Sequence, residues 1–79
     1  MEVRMKELTA KERFIDLINE CQLNGSRLEV EMGGFGRFKR IKLIYNNDEL
    51  IALKEAIIVC HDENLRSKHF KIYGFREVN

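Results

Sequence analysis

Phe38, Arg40 and Lys42, and again His69, Lys71, Tyr73 and Phe75, set rings and cations at every second position. In an extended strand every second side chain shares a face, so each set falls on one side of a sheet. Rings among cations are the chemistry of a single-stranded nucleic-acid platform. Bases stack on aromatic faces while Lys or Arg neutralises phosphates. Stacking is worth about 1–3 kcal/mol per base, so two or three exposed rings suffice. Phe35 and Arg37 extend the first set into a glycine-flanked turn, and these nine residues are the candidate binding residues. An exposed aromatic patch marks a protein contact equally well, with another protein or with a second copy of the chain.

Catalytic and metal chemistry is weakly supported. Cys60-His61 is the one nucleophile–base pair in sequence. Neighbours on a helix point about 100° apart and cannot hydrogen-bond as such a pair. Cys60 also falls on an apolar face, where a thiol is a small core residue. His61, Asp62, Glu63 and His69 match no zinc or calcium spacing. The carboxylates are scattered over helix surfaces and form no acid–base pair. The expectation is a protein that is not an enzyme and that holds no metal or cofactor.

The elements that position these residues follow from periodicity. Thr9 with Glu12 is a capping box, and Ala10, Phe14, Leu17, Ile18 and Cys21 follow on one face with Ile15 at its edge, which predicts a helix over 9–23 closed by Asn24-Gly25. Leu28, Val30 and Met32 alternate with Arg27, Glu29 and Glu31, and Ile41, Leu43 and Tyr45 alternate with Arg40, Lys42 and Ile44. These are two strands of a hairpin. A turn centred on Gly34-Phe35 sets Leu28 opposite Ile41 and Glu29 opposite Arg40. Asn47 or Asp48 caps a second helix whose stripe is Leu50, Leu53, Ile57 and Cys60, widened by Ile51 and Ile58. His69 to Arg76 reads as a last strand, with Phe70 and Ile72 inward and Lys71, Tyr73 and Phe75 outward. Val3 and Met5 alternate with Glu2, Arg4 and Lys6, which fits a short first strand, with Arg4 and Lys6 joining the basic face.

The class is therefore α+β, one small domain over residues 1–79, with two helices on one face of an antiparallel sheet. With a first strand the order is ferredoxin-like, βαββαβ; without it the order is αββαβ. No proline, repeat or low-complexity tract divides the chain. The start of the chain has no continuous apolar stretch, and the longest apolar run, Ala56–Cys60, is far below the roughly 20 residues of a membrane span. Cys21 and Cys60 form no disulfide framework, so two reduced, buried thiols in a cytoplasmic protein are expected.

The 14 Lys+Arg and 13 Asp+Glu give a net charge of +1, which excludes a globally basic nucleic-acid binder. The balance conceals a polarity. Residues 35–45 carry +4 and residues 65–79 carry +3, while residues 46–64 carry −4 and residues 1–34 carry −2. The third and last strands are basic and the second helix region is acidic. Glu29 and Glu31 share the face of Arg40 and Lys42 and offer them cross-strand partners.

Gly34-Phe35-Gly36 opens the Ile41 strand, and in this it resembles the RNA-recognition motif, whose signature is Lys/Arg-Gly-aromatic-Gly-Phe-Val-x-aromatic. Chain length and element order fit that family too. Gly33 stands in place of the leading cation, Arg37 in place of the central aromatic and Arg40 in place of the closing one. The resemblance implies RNA as the ligand and a stacking role for Phe35. The expected function is thus a non-enzymatic module whose basic, aromatic sheet face contacts single-stranded nucleic acid, RNA above DNA. The alternative is a small protein-interaction module, an inhibitor or adaptor of the kind mobile elements carry, using the same strands or the acidic second helix.

Overall fold

The computed structural model describes residues 8–34, 39–68 and 70–79. The expected strand at Val3–Met5 and the candidate residues Phe35, Arg37, Phe38 and His69 lie outside them. The described elements run α1 (Ala10–Asn24), β1 (Arg27–Gly34), β2 (Ile41–Tyr45), α2 (Leu50–Cys60) and β3 (Phe70–Val78), with a 3-10 turn at Asn47–Glu49.

The capping box forms as its spacing requires. Glu12 N–H donates to Thr9 Oγ1 at 3.1 Å, and Thr9 N–H donates to the Glu12 carboxylate at 3.2 Å. Gly25 closes α1 with φ of 66°, the left-handed conformation that glycine adopts without penalty. Phe14, Ile18 and Cys21 are buried on one side. Asn47 is not the cap of the second helix. Its amide donates to Cys21 O at 2.9 Å and Ser26 O at 3.0 Å, tying the end of α1 to the start of α2. Glu49 accepts from Asn46 N–H instead, and α2 begins at Leu50.

The sheet order is β2-β1-β3, with both pairings antiparallel. This is the αββαβ order. In a split βαββαβ sheet the Arg27–Gly34 strand would be an edge. Here it is central and both its edges are occupied, so the described sheet does not have the ferredoxin-like order.

The hairpin register also differs from expectation. Leu28 lies opposite Tyr45, Val30 opposite Leu43 and Met32 opposite Ile41, so Glu29 faces Ile44 and not Arg40. The six residues between Gly34 and Ile41 make a longer connection than a two-residue turn, and loop length sets register. The slip is even in residues, so every side chain keeps its predicted face.

On β3 the faces do change. Glu31 pairs with Gly74 and Met32 with Ile72, leaving Tyr73 as the additional residue of a bulge. Uniform alternation would send Phe75 outward with Tyr73. The bulge turns it inward opposite Val30, and its ring meets Phe14 edge-on at 4.6 Å between centroids.

Leu28, Val30 and Ile72 from one face of the sheet form a single core with Phe14, Ile18 and Cys21 of α1, Leu50, Leu53 and Ile57 of α2, and Leu65. Both helices therefore cover the same face. Leu65 reaches the core from the α2–β3 connection. There the Asp62 carboxylate accepts from Asn64 N–H and Arg66 N–H, and Ile72 N–H donates to Leu65 O.

Candidate functional site

The face of the sheet left uncovered among the described residues carries Glu29 and Glu31 on the central strand, flanked by Arg40 and Lys42 on one side and Lys71, Tyr73 and Arg76 on the other. Lys42, Lys71 and Arg76 are placed there as the in-register partners of Glu31, Gly33 and Glu29, and Arg40 and Tyr73 join them through Arg40's approach to Glu31 and to the Tyr73 ring. Arg76 Nε donates to Glu29, Lys42 Nζ lies 3.9 Å from the same carboxylate, and Arg40 Nη1 lies 3.8 Å from Glu31. Both carboxylates are thus engaged by the strands beside them, and Lys71 is the cation of this group that faces no carboxylate in these pairs. Their cations are well exposed and screened by solvent, so each pair contributes only about 0–1 kcal/mol, and their main effect is on the local field.

Of the expected rings, only Tyr73 is on this face among the described residues. The Arg40 guanidinium lies over it at 3.9 Å from the centroid, and Lys71 Nζ approaches at 5.3 Å. A base stacking on Tyr73 has to displace Arg40 or use the opposite side of the ring. Beside it, Gly74 leaves a shallow hollow lined by Glu29, Glu31, Lys42, Phe75 and Arg76.

A second surface was incompletely legible in the sequence. Of the eleven residues of α2, only Lys54 and Glu55 are charged. Leu50, Leu53 and Ile57 are buried, but Ile51 is 62 % exposed, Ile58 49 % and Val59 80 %. Cys60, expected in the core, is exposed as well. The helix has more apolar circumference than one sheet face can cover, and its last turn extends past the buried stripe. The signal was available: a helix apolar nearly all round is one that needs cover on more than one side. Lys54 turns aside to donate to Asn19 at 2.6 Å. Acids ring this surface, with Asp48 and Glu49 at one end, Glu55 on it, and Asp62 and Glu63 at the other, all exposed. Hydrogen bonds from the Arg66 and Asn64 backbone hold the Asp62 carboxyl below its ordinary range.

Cys60 is the last residue of α2 and is exposed. His61 lies past the end of α2 in extended backbone. Its Nδ1 is buried with no hydrogen-bond partner among the described residues, and burial, with Lys11 nearby, lowers its pKa against the opposing pull of the Ala56 backbone. Lys11 Nζ donates to the carbonyls of Ile58 and His61, capping the end of α2. Cys21 is buried and its thiol is pushed up, first by burial and then by Glu77 and Glu20. Among the described residues, no group of three or more His, Cys, Asp or Glu could hold a metal ion, and no helix is long and apolar enough to cross a membrane.

Compared with known proteins, the chain matches no family model, no curated protein and no solved structure. The resemblance to the RNA-recognition motif therefore rests on Gly34-Phe35-Gly36 alone, and the sheet order gives it no added support.

Proposed function

We propose that the chain is a non-enzymatic, cytoplasmic protein-interaction module, an adaptor or inhibitor, that docks the outward side of α2 into an apolar groove of another protein. The observation that carries this reading is the exposure of Ile51, Ile58 and Val59 on a helix with two charged residues. Ile51 and Ile58 are seven residues apart and share a face with Glu55, the spacing of anchors in helix-in-groove recognition. The acids around the helix call for a groove with a basic rim, which would speed encounter and set orientation. Immobilised wild-type, Ile58→Glu and Lys42→Glu proteins, exposed to native extract, test it. A protein retained by wild type and Lys42→Glu and lost with Ile58→Glu is the expected result. Equal retention by all three, or by none, overturns it.

The Arg40–Tyr73–Lys71 cluster favours a second reading, contact with single-stranded nucleic acid on the uncovered sheet face. Four cations, Arg40, Lys42, Lys71 and Arg76, stand there against two carboxylates. That reading requires affinity for a short RNA that falls steeply as salt rises and weakens with Tyr73→Ala or Lys42→Glu. No binding at low salt removes it.

A further inference from the structure

The two outer strands of the sheet are treated differently. The outer edge of β3 is occupied along its first half: Lys71 has Gly33 on one side and Arg66 on the other, Ile72 N–H donates to Leu65 O, and Ser67 N–H donates to Phe70 O. Further along, the bulge at Tyr73 breaks the regular edge. Both devices discourage strand addition. The outer edge of β2 has neither. Among the described residues no strand or loop pairs with it, it contains no proline or bulge, and its side chains are mostly apolar and open. Ile41 is 52 % exposed and Ile44 50 %, and Lys42 is the single charge in Ile41–Tyr45. A largely apolar edge of this kind, with Lys42 as its one protective charge, is a template for another strand.

The sequence of β2 indicates which strand. We infer that β2 pairs antiparallel with β2 of a second copy about a two-fold axis at Leu43, joining the two sheets into one of six strands. The register is self-complementary, as an isologous contact requires. Leu43 meets Leu43 of the partner subunit, and Ile41 meets Tyr45 of the partner subunit, on the helix-covered side. Lys42 meets Ile44 of the partner subunit on the uncovered side. No like charges face each other. Helix-side apolar residues stay on the helix side in both copies, because the register keeps the pleat in phase. The contact also brings Arg40 and Lys42 of both copies toward one seam, while the outward side of α2 remains free.

Ile44 supplies the test, because its neighbours within and between copies have opposite charges. Within the chain it lies opposite Glu29; across the seam it lies opposite Lys42 of the partner subunit. Ile44→Lys is then compatible with the monomer and sets two like-charge pairs across the seam. Ile44→Glu opposes Glu29 in the monomer and sets two opposite-charge pairs across the seam. Sedimentation over a dilution series reads the association directly. Wild type is expected at twice the mass of one chain when concentrated, dissociating on dilution. Ile44→Lys should weaken association roughly 2- to 30-fold and Ile44→Glu should tighten it, from the worth of directly opposed charges in a ladder. Thermal unfolding of dilute protein should rank the variants in the opposite order, which separates a lost seam from a lost fold. A single-chain mass at every concentration overturns the inference, as does a dimer indifferent to both substitutions. Ile58→Glu should leave the dimer intact, so failure of α2 docking and failure of the β2 seam are separately visible.

Discussion

The Arg40 guanidinium lies 3.9 Å from the centre of the Tyr73 ring, and the two side chains together cover Gly33. Gly33 and Tyr73 lie on the adjacent strands β1 and β3, Arg40 stands immediately before β2, and the arrangement needs each. A Cβ on Gly33 would stand 3.3 Å from Arg40 Cα and 3.4 Å from the Tyr73 ring. Glycine is required here by close approach and not by backbone conformation.

Gly33→Val should therefore destabilise the fold by about 1–3 kcal/mol, since the branched side chain meets the Arg40 backbone and not only a flexible tip. Urea unfolding measures it. Tyr73→Leu, which keeps the cover over Gly33 and removes the ring, should cost only about 0.5–1 kcal/mol, the worth of an exposed cation–π contact. Equal losses for the two would refute this division.

Phe75 distinguishes a core ring from a binding ring. It meets Phe14 edge-on and lies among the residues packed on the core. Phe75→Ala should lose about 3 kcal/mol of stability, as large-to-small changes in cores do. An unchanged unfolding midpoint would return Phe75 to the exposed face that simple alternation gives it.

Leu65 combines 2 % exposure with a φ of 60°, the one positive value outside glycine among the described residues. Burial of the side chain offsets the backbone cost. Both Leu65→Ala and Leu65→Gly lose the burial, but only glycine relieves the left-handed conformation, which costs other residues about 1–2 kcal/mol. Leu65→Gly should accordingly be the more stable of the two variants, the reverse of the order seen in helices and strands. Paired thermal melts decide it.

Acidification should destabilise the protein, beginning near neutrality. Burial lowers the His61 pKa below its ordinary 6.5, so the unfolded chain takes up a proton before the folded one does. The stability this group contributes is complete above pH 6.5 and falls as pH drops from there through the folded pKa. Asp62 and Glu77, both lowered by hydrogen bonds to the ionised form, extend the loss into the carboxylate range. His61→Gln should flatten unfolding midpoints between neutrality and mild acid and leave the lower limb in place. A wild-type midpoint constant through that upper window would rule out this role.

Sequence alone determined the local elements, because each rests on neighbours in the chain. The Thr9–Glu12 box, the Phe14–Ile18–Cys21 stripe, the Gly25 stop and the alternation of Leu28, Val30 and Met32 are all satisfied within one element, and all form. The pairing of Glu29 and Glu31 with strand cations was legible for the same reason, since charge and parity survive an even slip of register. Tertiary structure decided what depends on distant partners. Periodicity could not reveal that β3 adds to the free edge of β1, nor that a bulge at Tyr73 turns Phe75 from the uncovered face to Phe14. Alternation fixes relative facing only while the ladder is unbroken, and one additional residue inverts everything beyond it. Nor could an apolar stripe on α2 reveal how much of it the sheet would cover. That depends on where a three-stranded sheet ends, and it ends with Ile51, Ile58 and Val59 still in solvent.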